Sequence, residues 1–210
     1  GDDPSELWAA WGIHITTNNP SYKPLMIFDS SNPSGNDDDL GTPNADFGGP
    51  GVGNGGKAGK IGENNRALDN LLIISTDGNT SNPNDNAGGG TVTFTFDSDV
   101  DIAAMELIDF DHGNTDGKIK AYDASNNLIK EATVYAYGDN SYQKVVVNAT
   151  GVRKLEAIIT NSFSIASLLF CDANLPTASI GDLVWNDVNS DGASTGEFGV
   201  ANVALKLTDN

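Results

Sequence analysis

Residues Thr91 to Phe96 read Thr-Val-Thr-Phe-Thr-Phe, an alternation of polar and apolar side chains with a period of two. Such alternation predicts a β-strand that buries one face, whereas helical periodicity is almost absent from the chain. Many short stretches of this kind, separated by Gly, Asn and Asp turns, predict an all-β, antiparallel β-sandwich of the jelly-roll type. The predicted strands are residues 12–17, 25–28, 71–75, 91–97, 104–109, 118–122, 128–137, 143–148, 154–160 and 164–170.

The chain is strongly acidic, with 29 Asp and Glu residues against 11 Lys and Arg and a formal net charge of −18. Only six of these acids are Glu. Asp disfavours strands and its short side chain suits turns and ion cages, so the surplus of Asp indicates loops that hold cations. Solubility, or adaptation to a salty medium, is the alternative explanation. We expect no nucleic-acid partner, because phosphate binding needs a basic surface.

Two long segments, residues 29–66 and 76–90, interrupt the β pattern. Loops of this length in compact domains are usually functional or disordered. Three consecutive aspartates, residues 37–39, lie in a stretch without Lys or Arg that runs from residue 24 to 56, so they repel one another unless a cation lies among them. A mobile acidic loop is the alternative. The candidate Ca²⁺ ligands in the two loops are Asp29, Asp37, Asp38, Asp39, Asp46, Asp77 and Asp85.

A third acidic group follows the predicted strand at residues 104–109. Asp109 and Asp111 would share one face of that strand, and Asp116 returns after a turn, so the three are candidate metal ligands. A polar strand end with a solvated turn is the alternative. The pair Asp109 and Asp111 also allows a glycan hydrolase, which would need one carboxyl with a raised pKa in a walled cleft.

A fourth group lies near residue 190, where Asp187, Asn189 and Asp191 alternate with spacer residues, Gly192 follows and Glu197 ends the run. Alternate side chains on a tight turn aim short oxygens inward, which predicts a calcium loop. A solvated Asp/Asn turn is the alternative.

The same region resembles a known family. Residues 179–192 read Ser-Ile-Gly-Asp-Leu-Val-Trp-Asn-Asp-Val-Asn-Ser-Asp-Gly, and with the strand after Glu197 they resemble the opening of an SdrD B-like repeat of bacterial surface proteins. The resemblance implies a calcium-stiffened immunoglobulin-like module in which Asp187, Asn189, Asp191 and Glu197 are ligands. Only two strands of such a module are present, so we expect a partial module at residues 176–210.

The larger part, residues 1–175, carries Phe28-Asp-Ser-Ser-Asn-Pro, Asp39-Leu-Gly-Thr-Pro-Asn, Phe47-Gly-Gly-Pro-Gly and Asn70-Leu-Leu-Ile-Ile-Ser. In layout it is similar to jelly-roll carbohydrate-binding modules and to calcium-dependent ligand-binding domains of large bacterial adhesins. The resemblance implies a secreted or cell-surface module that binds glycans or peptide ends.

Exposed aromatic rings are the candidate ligand contacts, because they offer apolar area at little entropic cost. Tyr137 and Tyr142 are favoured, since they flank a Gly-Asp-Asn turn, and core packing is the alternative. The Gly-rich loop that includes Asn44, Gly48 and Gly49 can turn tightly and offer carbonyls to an ion or a ligand. The aromatic candidates as a whole are Trp8, Trp11, Tyr22, Tyr135, Tyr137 and Tyr142.

These observations predict a non-enzymatic, extracellular, calcium-dependent adhesion module that binds carbohydrate. The two histidines, His14 and His112, have no partner motif of a catalytic triad or a zinc site. A binder of peptide ends, a calcium-stiffened structural stalk and a glycan hydrolase are the alternatives. We expect a cell-surface glycan or peptide as partner, no membrane insertion, and a monomeric module within a larger protein.

Overall fold

The structure is a computed structural model that describes residues 8–18, 24–111 and 117–172. The chain divides into two compact units, Gly1–Asn174 and Leu175–Asn210, and every described residue belongs to the first. The strands are β1 (Ile13–Thr17), β2 (Leu25–Asp29), β3 (Asn70–Ile74), β4 (Gly90–Ile108), β5 (Gly117–Tyr122), β6 (Leu128–Val134), β7 (Tyr142–Ile159) and β8 (Ser164–Asp172). Three 3₁₀ turns, Ala9–Trp11, Asp38–Leu40 and Ala45–Phe47, complete the regular structure of these ranges.

The strands form one antiparallel sheet in the order β2-β3-β8-β4-β7-β5-β6, with β1 paired to the first half of β4. The all-β antiparallel class predicted from the sequence is therefore confirmed. In the described ranges no helix exceeds one 3₁₀ turn, so the buried faces of the sheet pack against other parts of the sheet, as in a sandwich, or against loops. No helix of these ranges has the length and apolar character needed to cross a bilayer.

Two pairs of predicted strands are in fact single long strands. Residues 91–97 and 104–108 both belong to β4, and residues 143–148 and 154–159 both belong to β7. Residues 109 and 160, which were predicted as strand, lie beyond the ends of β4 and β7. The break expected from the turn-like Ala-Thr-Gly at residues 149–151 is a local irregularity: Asn148 and Gly151 have positive φ, and the β4–β7 register shifts opposite them. Bulges bend a strand without ending it, which the residue pattern alone does not show.

Two hydrophobic clusters fill the fold. The larger one draws on β1, β4, β5, β7 and other strands, with Phe94, Ile102 and Leu155 among its buried members. The smaller one includes Phe28 and Ile108 at the ends of β2 and β4, together with Leu40 from the long loop between β2 and β3. Leu40 is fully buried, so it anchors a loop that is otherwise polar next to the end of β4.

Candidate cation site and aromatic groove

The two long loops contact each other. Asn84 Nδ2 donates a hydrogen bond to the carbonyl of Gly35 (2.7 Å). Gly35 has a φ of 68°, and a Cβ there would lie 2.6 Å from the carbonyl oxygen of Pro83, so only glycine fits. The contact brings Asp37 beside Asp85, whose backbone N–H donates to Asp37 Oδ2 at 2.7 Å. The acidic stretches of the two loops therefore meet.

Asn140, in the connection between β6 and β7, ties the first loop to the sheet. Its buried side chain donates from Nδ2 to the carbonyls of Asp39 and Gly41 (both 2.7 Å) and accepts at Oδ1 from Asn44 Nδ2 (2.7 Å). Its backbone N–H donates to Asp109 Oδ1 (2.6 Å). One asparagine thus holds Asp39 of the loop close to Asp109, which follows β4.

Six aspartates interact at this junction and are called the acidic cluster below: Asp37, Asp39, Asp85, Asp109, Asp111 and Asp139. Ser162 lies among them, with its Oγ 2.7 Å from Asp85 Oδ2 and 2.8 Å from Asp109 Oδ2. A hydroxyl has one hydrogen to donate, so both contacts are favourable only if one of the two carboxyls carries a proton or a cation lies beside them. The hydrogen bond between the side chains of Asp111 and Asp139 likewise requires a proton on one carboxyl.

The two aspartates that follow β4, Asp109 and Asp111, have the most strongly raised pKa values of the cluster. Burial, with the charges of Asp39 and Asp111, raises the pKa of Asp109 to about 9. Burial, the hydrogen bond with Asp139 and the charges of neighbouring aspartates raise the pKa of Asp111 to about 8. At neutral pH these two carboxyls therefore retain protons in the absence of a cation.

The loop members show the same trend. Burial, with the charge of Asp85, raises the pKa of Asp37 to about 7 and that of Asp39 to about 6, and burial raises the pKa of Asp85 as well. Among the described residues, no Lys, Arg or His forms an ion pair with these three or with Asp109 and Asp111. Within that part of the chain no protein cation pairs with these five carboxyls, so protons or a bound cation must offset their charge.

The donor set suits Ca²⁺, because hard divalent cations take carboxylate and carbonyl oxygens. Asp111 Oδ1 is buried and has no hydrogen-bond partner in the described structure, so an oxygen is left to accept a ligand. In the described ranges, however, no group of three or more His, Cys, Asp or Glu side chains already has an arrangement that could hold a metal ion. The carboxyls are engaged with protein donors and with one another, and they would have to turn to share an ion.

The other predicted metal ligands lie apart from the acidic cluster or outside the described residues. Asp29, Asp46 and Asp77 are exposed, and each accepts a backbone N–H of its own loop: from Ser31, Ala58 and Asn79 respectively. Asp38 is exposed as well, and its carbonyl accepts from Val52. The candidates outside the described residues are Asp116, Asp187, Asn189, Asp191 and Glu197.

The expectation that Asp109 and Asp111 share a strand face is wrong. β4 ends at Ile108, and Asp109 has a φ of 62°, which lies in the left-handed region and outside the extended region of a regular strand. The two residues nevertheless interact, because this turn directs the chain into the acidic cluster.

A groove of about 600 Å³ lies between β6 and the first residues of β7. Tyr135, Tyr137 and Tyr142 line it together with Ile61, which is 85% exposed. The rings of Tyr135 and Tyr137 stack with centroids 6.1 Å apart, and the Arg66 guanidinium lies 4.7 Å from the Tyr142 ring centroid. Both tyrosines favoured from the sequence therefore line one open surface.

The Gly-rich loop supports this surface from within. Asn44 is buried, and its side chain donates to the carbonyl of Gly53 and accepts from Asp46 N–H, so it holds the loop together. At Gly49 a Cβ would lie 2.1 Å from the carbonyl oxygen of Pro43, whereas at Gly48 it would contact nothing. Direct ligand contacts by Asn44, Gly48 and Gly49 remain predictions.

The groove and the acidic cluster share one segment. Tyr137 and Tyr142 border the groove, and between them Asp139 and Asn140 reach into the cluster. The carbonyl of Gly62, beside Ile61, accepts from Tyr142 N–H (2.9 Å). The segment that carries Tyr137 and Tyr142 at the groove therefore also carries Asp139 of the acidic cluster.

Two residues at this junction, Asp139 of the acidic cluster and Ser162 beside it, were not predicted from the sequence. Asp139 lies in a Gly-Asp-Asn turn, and the same Asp-Asn pair occurs at residues 85–86, which is the signal that was available. Ser162 gave no signal, because its role depends on two aspartates 77 and 53 residues away in the chain.

No protein-family model matches the chain, and no curated protein is similar enough to count as a relative.

Proposed function

We propose that this chain is an extracellular, non-enzymatic, calcium-dependent carbohydrate-binding module of a secreted or cell-surface protein. The observation that carries the proposal is the acidic cluster, in which the buried or half-buried carboxyls of Asp37, Asp39, Asp85, Asp109 and Asp111 have raised pKa values. Asp139 and Asn140 join it to an exposed aromatic groove. The resemblance of the sequence to ligand-binding domains of adhesins and to an SdrD B-like repeat supports the same context.

Bound calcium would replace the protons that the carboxyls of Asp109 and Asp111 retain at neutral pH. When bound, Ca²⁺ supplies positive charge and coordinates six to eight oxygens. The pKa of Asp109, about 9, means that displacing its proton at pH 7 weakens the apparent affinity by about a hundredfold. A site of that kind falls among the weak affinities, Kd of about 10⁻⁴ to 10⁻³ M, that extracellular calcium modules have. Removal of the ion would return the protons or loosen the loops.

The groove would supply the sugar contacts. Tyr135 is half exposed and stacks on Tyr137, so the pair presents apolar ring surface on which a sugar face can pack. Thr133 and Gln143 also line the groove, although Gln143 is occupied with both backbone groups of Tyr135. Sugar recognition typically combines such rings with a few polar groups.

A glycan array probed in calcium and in chelator tests the proposal. We expect binding that needs calcium and that Tyr135→Ala and Tyr137→Ala each reduce. Tyr122→Ala is the matched control, since Tyr122 lies outside the groove and pairs with Glu156. Binding of no glycan in either buffer would contradict carbohydrate recognition. A peptide array run in parallel tests the alternative that the chain binds peptide ends. Glycan binding that is unchanged in chelator would show that binding does not depend on calcium.

A further inference from the structure

The groove carries positive charge in a chain whose formal net charge is −18. Lys130 and Lys144 line it, and both are exposed. The one acidic lining residue, Glu131, is paired with two lysines outside the lining, Lys118 (3.3 Å) and Lys120 (3.7 Å). Glu131 is therefore more than compensated, and its charge does not cancel that of Lys130.

Glu106, the acid that pairs with Lys144, is also compensated by a second base. Glu106 is nearly buried and pairs with Arg66 at 2.9 Å, and it also accepts a hydrogen bond from Ser167. Burial by itself raises the pKa of Glu106, but these contacts outweigh burial, so the pKa is lowered. Lys144 Nζ forms a long ion pair with the same carboxylate at 3.9 Å, beyond hydrogen-bond distance, so Glu106 does not occupy the N–H donors of its ammonium group.

The charged lining residues and their ion-pair partners thus comprise four bases, Lys118, Lys120, Lys130 and Lys144, against two acids, Glu106 and Glu131, and Arg66 pairs in turn with Glu106. The described residues contain few other bases, so this concentration runs against the composition of the chain. A neutral sugar gains nothing from it, because stacking and hydroxyl contacts need no cation. A local positive surface on an acidic protein selects an anion at short range.

Resting on the proposed function, we infer that the groove binds an anionic polysaccharide, with the Tyr135–Tyr137 stack against a sugar ring and Lys130 and Lys144 against its carboxylate or sulfate groups. From Lys130 to Tyr137 an extended chain covers roughly 23 Å, enough for several sugar rings. Calcium bound at the acidic cluster next to Tyr137 would add positive charge beside the groove, so this inference also accounts for dependence on calcium.

The test compares ligands that differ in charge alone. Short oligogalacturonides and their fully methyl-esterified forms have the same sugar rings, but only the former are anionic. In calcium, calorimetry with the whole chain should show binding of the free acid and at least tenfold weaker binding of the ester. A sulfated and a neutral galactan of matched length form a second pair, which distinguishes sulfate from carboxylate as the preferred group.

Protein variants separate lysine contacts from a calcium bridge. The double variant Lys130→Gln/Lys144→Gln should bind the anionic oligosaccharide about tenfold more weakly, since two partly exposed charge contacts are worth roughly 1–2 kcal/mol, and added salt should reduce that difference. Lys154→Gln, which removes the same charge outside the groove lining, should bind as the unchanged protein does.

Equal affinity for acid and ester overturns the inference and leaves the proposed function intact. Preference for the acid that the lysine pair does not alter also overturns it, and assigns the anion to the calcium ion. If the protein binds another, neutral glycan but none of these four oligosaccharides, the inference is also overturned and the proposed function stays intact. Binding of no glycan at all defeats both proposals.

Discussion

At the scale of single residues, the main physical conflict is that Asp109 is fully buried without a cation from the described part of the chain. Asp109→Asn keeps the shape, tolerates the left-handed φ of 62°, and can still accept from Asn140 N–H. We predict that it stabilises the calcium-free protein, by on the order of 1.4 kcal/mol for each pH unit between about pH 4 and about pH 9. It should also reduce or abolish the stabilisation that calcium gives.

Thermal unfolding with calcium and with EDTA measures both effects in one experiment. Asp123→Asn is the matched control, because Asp123 lies in the turn between β5 and β6, outside the acidic cluster, and hydrogen bonds from Asn127 lower its pKa. That change should leave the calcium-induced shift in Tm as it is. A variant Asp109→Asn that retains the full calcium shift would exclude Asp109 from the cation site.

Asn140 permits a second prediction at this scale. Asn140→Ala removes the side-chain donor of the Asp39 carbonyl and one of the two donors of the Gly41 carbonyl, which keeps Asn64 Nδ2 (3.2 Å), and adds strain at a φ of 62°. A buried polar group left unpaired costs about 1–3 kcal/mol, so with the strain we expect a loss of roughly 2–4 kcal/mol in the free energy of unfolding.

Asn126→Ala isolates the strain alone, since Asn126 has a φ of 61° but is exposed in a turn. Urea unfolding should show a loss of only about 1 kcal/mol for this control. Equal losses in the two variants would mean that the Asn140 side chain contributes little and that the backbone conformation accounts for the effect.

At the scale of elements, the strands could be predicted because their pattern is local. The alternation from Thr91 to Phe96 lies within β4, and every predicted strand overlaps an observed one. The sequence did not predict that β4 and β7 are each one continuous strand, because the bulges near Val100 and Asn148 depend on pairing between distant strands. The extension of β6 to residue 137 was also wrong: β6 ends at Val134, where the Gln143 side chain takes over the backbone hydrogen bonds of Tyr135.

The candidate site shows the same division. The local surplus of Asp pointed to Asp37, Asp39, Asp85, Asp109 and Asp111, all of which belong to the acidic cluster. The sequence did not separate them from Asp29 or Asp77, which occur in similar Asp-rich loops but remain exposed. Burial decides between the two groups, and it arises from loop contacts that span up to 101 residues.

The loop itself depends on glycines packed against backbone. A Cβ at Gly51 would lie 2.2 Å from the carbonyl oxygen of Gly41 and 2.7 Å from Asn140 Nδ2. We predict that Gly51→Ala displaces the loop, lowers Tm and weakens both calcium and glycan binding. At Gly88 a Cβ would be 3.7 Å from its nearest neighbour, so Gly88→Ala should be tolerated.

Limited proteolysis of the loop, with Tm as a second readout, checks this pair of variants. If Gly51→Ala resisted protease as well as Gly88→Ala does, the close approach of the two backbone segments would be incorrect.

At the scale of the whole molecule, stability should depend on pH in opposite ways with and without calcium. A carboxyl whose pKa is higher in the folded than in the unfolded protein binds more protons when folded, so the free energy of unfolding falls as pH rises between the two values. For Asp109 and Asp111 this window extends from about pH 4 to about pH 8 or 9. Asp29 and Asp123 have lowered pKa values, and the stability that they contribute is lost below about pH 4.

In EDTA we therefore predict maximal stability near pH 4 to 5 and a decline toward pH 9. In saturating calcium the decline should be reduced or reversed, because the ion competes with protons for the same oxygens and gains affinity as pH rises. General repulsion at a net charge of −18 also increases with pH, but it involves exposed charges that salt screens, whereas the buried cluster is screened far less. Urea unfolding across this pH range at low and high salt separates the two contributions, and Asp109→Asn should flatten the salt-resistant part. A decline in EDTA that high salt removes completely would locate the effect on the surface and leave the acidic cluster without a part in stability.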